Sequence, residues 1–178
     1  ALEGKELKLD SDGDSSIQAS ADDTVVFKTN GSNRWTLNSS GNLFPASTSQ
    51  GIVLGATSDT EANRLDDYEE GTWTPTIIGS SSGVKTVGAN NIGRYQRVGN
   101  HCTISGTVHC NGSETLSGAI AMGGLPFTVA NINQYRCSCS LGGTSGLGMP
   151  SGYTNGFAMS ADLNTNFVYI VARSTTSY

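Results

Sequence analysis

Residues Thr24–Leu37 read TVVFKTNGSNRWTL, and this stretch decides the fold class. Two runs rich in β-branched and aromatic residues, Thr24–Thr29 and Arg34–Leu37, flank Asn30-Gly31, the pair that most readily takes positive φ at both centres of a tight hairpin turn. Ser40-Gly41-Asn42 repeats the signal one strand later. From Leu7 to Leu54 the same grammar holds: LKL, SIQAS, LFP and GIVLG are short apolar runs cut by SDGDSS, ADD and NSSGN, about one turn per ten residues. Some fifty residues with so few apolar side chains cannot bury a core of their own, so residues 1–57 are expected to form a β-rich shaft segment that completes its core with other copies of the chain.

Composition widens the reading to the whole chain. Gly, Ser, Thr and Asn make 79 of 178 residues, or 44%, and charged residues only 14%, which marks a turn-rich chain poorly suited to long helices. Helix bundles, coiled-coil rods and membrane spans are not expected, because apolar windows with helical spacing or of spanning length are missing. Charge is uneven: residues 1–70 carry net −8 and residues 71–178 net +3. The five bases of the second part, Lys85, Arg94, Arg97, Arg136 and Arg173, are scattered, so a phosphate-tracking face for nucleic acid is not expected. The start, ALEGKELKLD, has neither an initiating Met nor a signal core and reads as a cut point, that of an excised piece, a processed product or the distal part of a longer chain, so targeting information is expected upstream.

Residues 58–71 form an acidic connector. Within it SDTEANRLDDYEE, Ser58–Glu70, is compatible with a short helix, with Ser58 or Asp59 as N-cap, Glu61 completing a capping box, Gly71 as stop and Ala62, Leu65 and Tyr68 as a thin apolar seam. A solvated acidic linker is the alternative. Beyond it, residues 72–178 hold about nine strand candidates: GTWTPTII, KTV, IGRYQRVG, HCTISGTVHC, ETLSGAIAM, LPFTVA, QYRCSCSL, FAMS and NFVYIVAR. In His101–Cys110 one face is Cys102, Ile104, Gly106, Val108 and Cys110, and the other is His101, Thr103, Ser105, Thr107 and His109. That alternation predicts a buried and a wet side, hence an antiparallel β-sandwich or jelly-roll-like head; the chain as a whole is read as all-β.

Candidate chemistry is sparse. His101-Cys102 and His109-Cys110 have the residue types of metal ligands, but on one strand the two pairs lie roughly 26 Å apart, too far for one tetrahedral ion. A threefold axis gathering three copies of His101 or of His109 is the remaining route to a metal. Cys102, Cys110, Cys137 and Cys139 read as reduced core thiols, with a cross-sheet disulfide as the alternative. The acids Asp66, Asp67, Glu69 and Glu70 share one environment and so lack the split pKa values of a catalytic pair. Glu114 and Asp162 are the head's other carboxylates and the candidates for glycoside cleavage across a cleft. Nucleophile-elbow, zinc-helix, phosphate-loop and dinucleotide motifs are absent, and no cofactor is expected. Binding chemistry is better represented: the stretch Gly142–Gly156, GGTSGLGMPSGYTNG, offers Tyr153 as a platform for a sugar ring beside the Asn155 amide, with Arg136 near in sequence to meet an anionic glycan. An ordinary surface loop is the alternative.

Three strings, in order, carry a family resemblance. DDYEEGTWTPTI at Asp66–Ile77, IGRYQRVGNHCTISGTV at Ile92–Val108 and GLPFTV at Gly124–Val129, preceded by NGSNRWTLNSSGNLFP at Asn30–Pro45, resemble the C-terminal receptor-binding region of tailed-bacteriophage tail fibres and the shaft that leads into it. The resemblance covers about residues 30–130. It implies a homotrimeric virion fibre, made in the bacterial cytoplasm, whose tip binds a host surface glycan such as lipopolysaccharide or capsule. It carries over no catalytic residue, and after about residue 130 no family motif remains. A tailspike-type depolymerase and a purely structural virion decoration protein are the competing readings.

Overall fold

The computed structural model describes residues 5–132, 138–143, 145 and 156–172. The described chain is all-β, with antiparallel sheets and no α-helix. It divides into two compact units, Ala1–Tyr68 with Val98–His101, and Glu69–Arg97 with Cys102–Tyr178.

In the first unit five strands, β1 (Glu6–Lys8), β2 (Ser16–Ala21), β3 (Thr24–Thr29), β4 (Ser32–Leu37) and β5 (Leu43–Pro45), pair in chain order as an antiparallel meander. Asn30 and Gly31 close the β3–β4 hairpin with φ of 52° and 66°, as their chemistry predicts. Asn38 organises the next turn: its Oδ1 accepts from the N–H of Ser40 at 3.1 Å and of Asn42 at 3.0 Å.

Register sorts the side chains of this sheet cleanly. Leu7, Ile17, Phe27, Trp35 and Pro45 lie opposite one another across all five strands, and Ala19, Val25, Leu37 and Leu43 form a second row two residues away on the same face. The reverse face carries Glu6, Gln18, Val26, Thr36 and Phe44, with Lys8, Ser16 and Lys28 beside them. There the Glu6 carboxylate takes Lys8 Nζ at 2.7 Å, Lys28 Nζ at 3.3 Å and the Ser16 hydroxyl. Val26 and Ser16, on that polar face, are the unit's buried residues, whereas none of the nine residues on the apolar face is buried.

The ionic face makes this unit acid-sensitive. Lys8, then Ser16 and Lys28, hold the Glu6 carboxyl at about 2 rather than 4.5, and Ser15 holds Asp10 at about 2 rather than 3.8. Both folded-state values are depressed, so the stabilisation is complete above about pH 4.5 and is lost as pH falls towards 2. Denaturant unfolding followed by Trp35 emission in a Trp73→Phe background should show a midpoint that falls over that window, and Glu6→Gln should flatten the fall.

The expected helix over Ser58–Glu70 does not form. Glu61–Asn63 makes one 3-10 turn whose N-cap, Thr60, is extended and makes no side-chain capping bond. Arg64–Leu65 (β7) instead pairs antiparallel with Ile52–Val53 (β6). Backbone competition explains the outcome: Leu54 N–H donates to Asn63 O at 2.8 Å, the Asn63 amide donates to Leu54 O at 3.0 Å, and the Arg64 guanidinium bonds Ser49 O at 2.9 Å and Asp59 at 2.7 Å. Ala62, Leu65 and Tyr68 are too thin a seam to outweigh these bonds. Gly71, expected as a helix stop, lies inside strand β8 (Tyr68–Trp73).

In the second unit β8 joins β10 (Ile92–Val98) and β11 (His101–Thr107) in a sheet of order β11-β10-β8. A second sheet has the order β13-β14-β15-β12-β9, from β9 (Thr76–Gly79), β12 (Ile120–Gly123), β13 (Ser138–Cys139), β14 (Phe157–Ala161) and β15 (Phe167–Ala172). Pro75 is fully buried between β8 and β9. The Trp73 indole, 7% exposed, lies across the first sheet where Gly93 and Gly106 have no side chain, and its Nε1–H donates to Ser105 O at 3.1 Å. A Cβ on Gly93 would collide with the indole ring and one on Gly106 would sit 3.1 Å from Cζ2.

Alternation predicts less well here. The face Cys102, Ile104, Gly106, Val108 and Cys110, expected to be buried, is largely open: Ile104 is 36% exposed and Cys110 is exposed, because β11 is an edge strand and ends at Thr107. Conversely, the second sheet is covered on both sides at its centre. Ala161 pairs with Val168, and Ala121 with Tyr169, on opposite faces, yet both alanines are 0% exposed. The unbroken apolar run FVYIVA of β15 fits that cover on both sides near Val168, whereas Val171 towards its end is 44% exposed. KTV contributes one isolated bridge, Val87 to Cys110, and LPFTVA no strand.

Candidate functional site

Tyr153, Asn155 and Arg136, the residues read as a glycan grip, lie outside the described residues, as does Cys137. The other named candidates are placed. His101 opens β11 and is exposed; His109 follows that strand, with Nδ1 2.9 Å from Asn111 Oδ1 and its backbone N–H on Asn91 Oδ1 at 2.6 Å. Among the described residues Cys102, Cys110 and Cys139 form no disulfide. The expectation of buried thiols fails at Cys110, which is exposed on the open stretch after β11, although partial desolvation by its neighbours still pushes its thiol up.

The two head carboxylates stand on different elements. Glu114 precedes β12 and accepts from the Thr86 hydroxyl, while Lys85 Nζ donates to its carbonyl. That hydroxyl, above all, lowers the Glu114 pKa, which is the reverse of what a general acid needs. Asp162 stands on the β14–β15 turn, where its carbonyl accepts from Thr165 Oγ1 at 2.7 Å. In the acidic run, Asp66 lies 3.9 Å from Arg64 and Glu69 accepts from the Tyr95 hydroxyl at 2.5 Å, a bond that raises the Tyr95 pKa. These acids thus hold the fold's own cations and hydroxyls.

Two groupings escape a linear reading. Tyr95 packs edge-on to Phe127 at 5.2 Å, and Arg97 lies 5.0 Å above the same ring, giving a half-buried aromatic and cationic cluster on the second unit. Tyr95 in turn closes over Gly71, where a Cβ would come within 2.9 Å of the ring. In the first unit Arg34, Trp35, Gln50, Asp59 and Arg64 line a cavity of about 330 Å³ with Ser49, Gly51 and Val53. An indole beside guanidinium and amide donors is chemistry that suits a polar ring, although Arg64 is engaged by Asp59 and Ser49. Neither grouping is visible in spacing, because its members come from strands and turns far apart in sequence. Asp10, Asp12 and Asp14 bring carboxylate oxygens within 4.8 Å of one another on the β1–β2 turn, and Asp10 already accepts from the Ser15 N–H at 3.0 Å.

Comparison with family models, with curated proteins and with solved structures finds no match to this chain. No helix of the described residues is long and apolar enough to cross a membrane.

Proposed function

We propose that the chain is the distal, receptor-binding part of a tailed-bacteriophage tail fibre: a homotrimer in the virion whose head adsorbs to a bacterial surface glycan such as lipopolysaccharide or capsule. What supports this reading is that the strings carrying the resemblance pack together. Trp73 of GTWTP lies on Gly93 of IGRYQRVG and Gly106 of CTISGTV, Tyr95 covers Gly71, and Phe127 of GLPFTV takes the edge of Tyr95 and the guanidinium of Arg97. The shared strings thus read as a scaffold, and adsorption falls to the part of the head after residue 130, where Tyr153, Asn155 and Arg136 remain the proposed contacts. Mechanistically the affinity is multivalent: three weak glycan sites engaging one surface gain on the order of a hundredfold over one.

The test is adsorption of labelled protein to a panel of bacteria and to purified surface polysaccharide. Tyr153→Ala with Asn155→Ala should lower adsorption on the order of tenfold while leaving the solution mass unchanged; unchanged adsorption removes this loop from the account. New reducing ends released from the polysaccharide would replace the adhesin with the depolymerase, and absence of any adsorption would leave a structural virion protein.

A further inference from the structure

The sheet β1–β5 shows two faces of opposite chemistry, and the apolar one is the more exposed. Leu7 is 52% exposed, Leu43 57%, Phe27 39% and Leu37 37%, and with Ile17, Ala19, Val25, Trp35 and Pro45 they form two unbroken rows without a charged or polar side chain. A single sheet is stable only when such a face is covered by a second layer. On the reverse face the Glu6 carboxylate is ion-paired with both Lys8 and Lys28 within the chain.

We infer that this apolar face is the surface through which copies of the chain associate, face to face. The inference gives the trimer of the proposed function its contact surface; the face rests on register alone, and the number three rests on the fibre reading. The chemistry of the face selects the occupant. Having no charge, it offers a charged partner nothing to hold, whereas an identical face is its match in extent and polarity. Edge-to-edge pairing is disfavoured, because β1 and β5 are three residues each and β1 carries Glu6 and Lys8. The acids of this unit lie on the other face and in turns such as Asp10–Asp14 and Asp22–Asp23, so copies can meet without opposing like charges across the contact.

The test uses the whole chain. Light scattering should give a multiple of the chain mass that molar salt does not reduce. Leu43→Asp should move it to one chain, and Thr36→Asp, on the reverse face, should not. Because a face variant can also fail to fold, a mixed sample of isotope-labelled and unlabelled native protein supplies the second measurement: intermolecular NOEs should fall on the methyls of Leu7, Ile17, Val25, Leu37 and Leu43. A monomer at every concentration, or an oligomer whose intermolecular NOEs lie elsewhere, overturns the inference. A dimer with NOEs on these methyls upholds the face and overturns the threefold fibre.

Discussion

Trp73→Ala is expected to lower the stability of the C-terminal unit by about 3–5 kcal/mol, the range for removing a large aromatic from a packed site. The indole is 7% exposed and spans three strands, from β8 over Gly93 on β10 to Ser105 and Gly106 on β11. Its loss strands the Ser105 carbonyl as well as opening a void. Trp73→Phe should cost less, since it keeps most of the ring contact and gives up a hydrogen bond worth about 1 kcal/mol. Gly93→Ala attacks the same contact from below and should cost about 1–3 kcal/mol by forcing the ring off the sheet. The two sites are in contact, so their effects should not add. In the Trp73→Ala background the Gly93→Ala change should be close to neutral, because the methyl then enters vacated space. Denaturant melts of the four proteins measure this cycle, and strict additivity would show that the indole does not rest on Gly93.

Ala161→Leu and Ala121→Leu should each destabilise the same unit, by about 1–3 kcal/mol. Both alanines are 0% exposed and lie on opposite faces of one sheet, Ala161 opposite Val168 and Ala121 between Tyr169 and Ile78. A sheet with one wet side would accept one of the two leucines at little cost. Similar losses from both, read as midpoint shifts in denaturant, are therefore the expected result, and a neutral variant at either position would contradict two-sided cover.

Much of the fold was legible because it is local. Asn30-Gly31 and the Asn38–Asn42 turn set their hairpins through backbone conformations that few other residues adopt, and the β-branched and aromatic runs TVVFKT and RWTL form the strands they join, while the shared face of Val25, Phe27, Trp35 and Leu37 emerges only from the register. What failed depends on neighbours in space. The Ser58–Glu70 helix lost to the β6–β7 pairing and to the bonds of Arg64 and Asn63, none of which is visible in a capping pattern. His101–Cys110 alternates well yet is not buried, since period tells which side chains share a face but not whether anything covers it. The clusters around Trp73, Tyr95 and Trp35 are assembled from residues tens of positions apart, so only tertiary structure shows them together.

In the proposed fibre each chain is one of three around a common axis. The mass of the native protein in solution, measured by light scattering across a wide range of concentrations, should then hold constant at three chains. A monodisperse single chain at every concentration would contradict it, and would leave a self-contained β-rich binding module in place of a fibre tip.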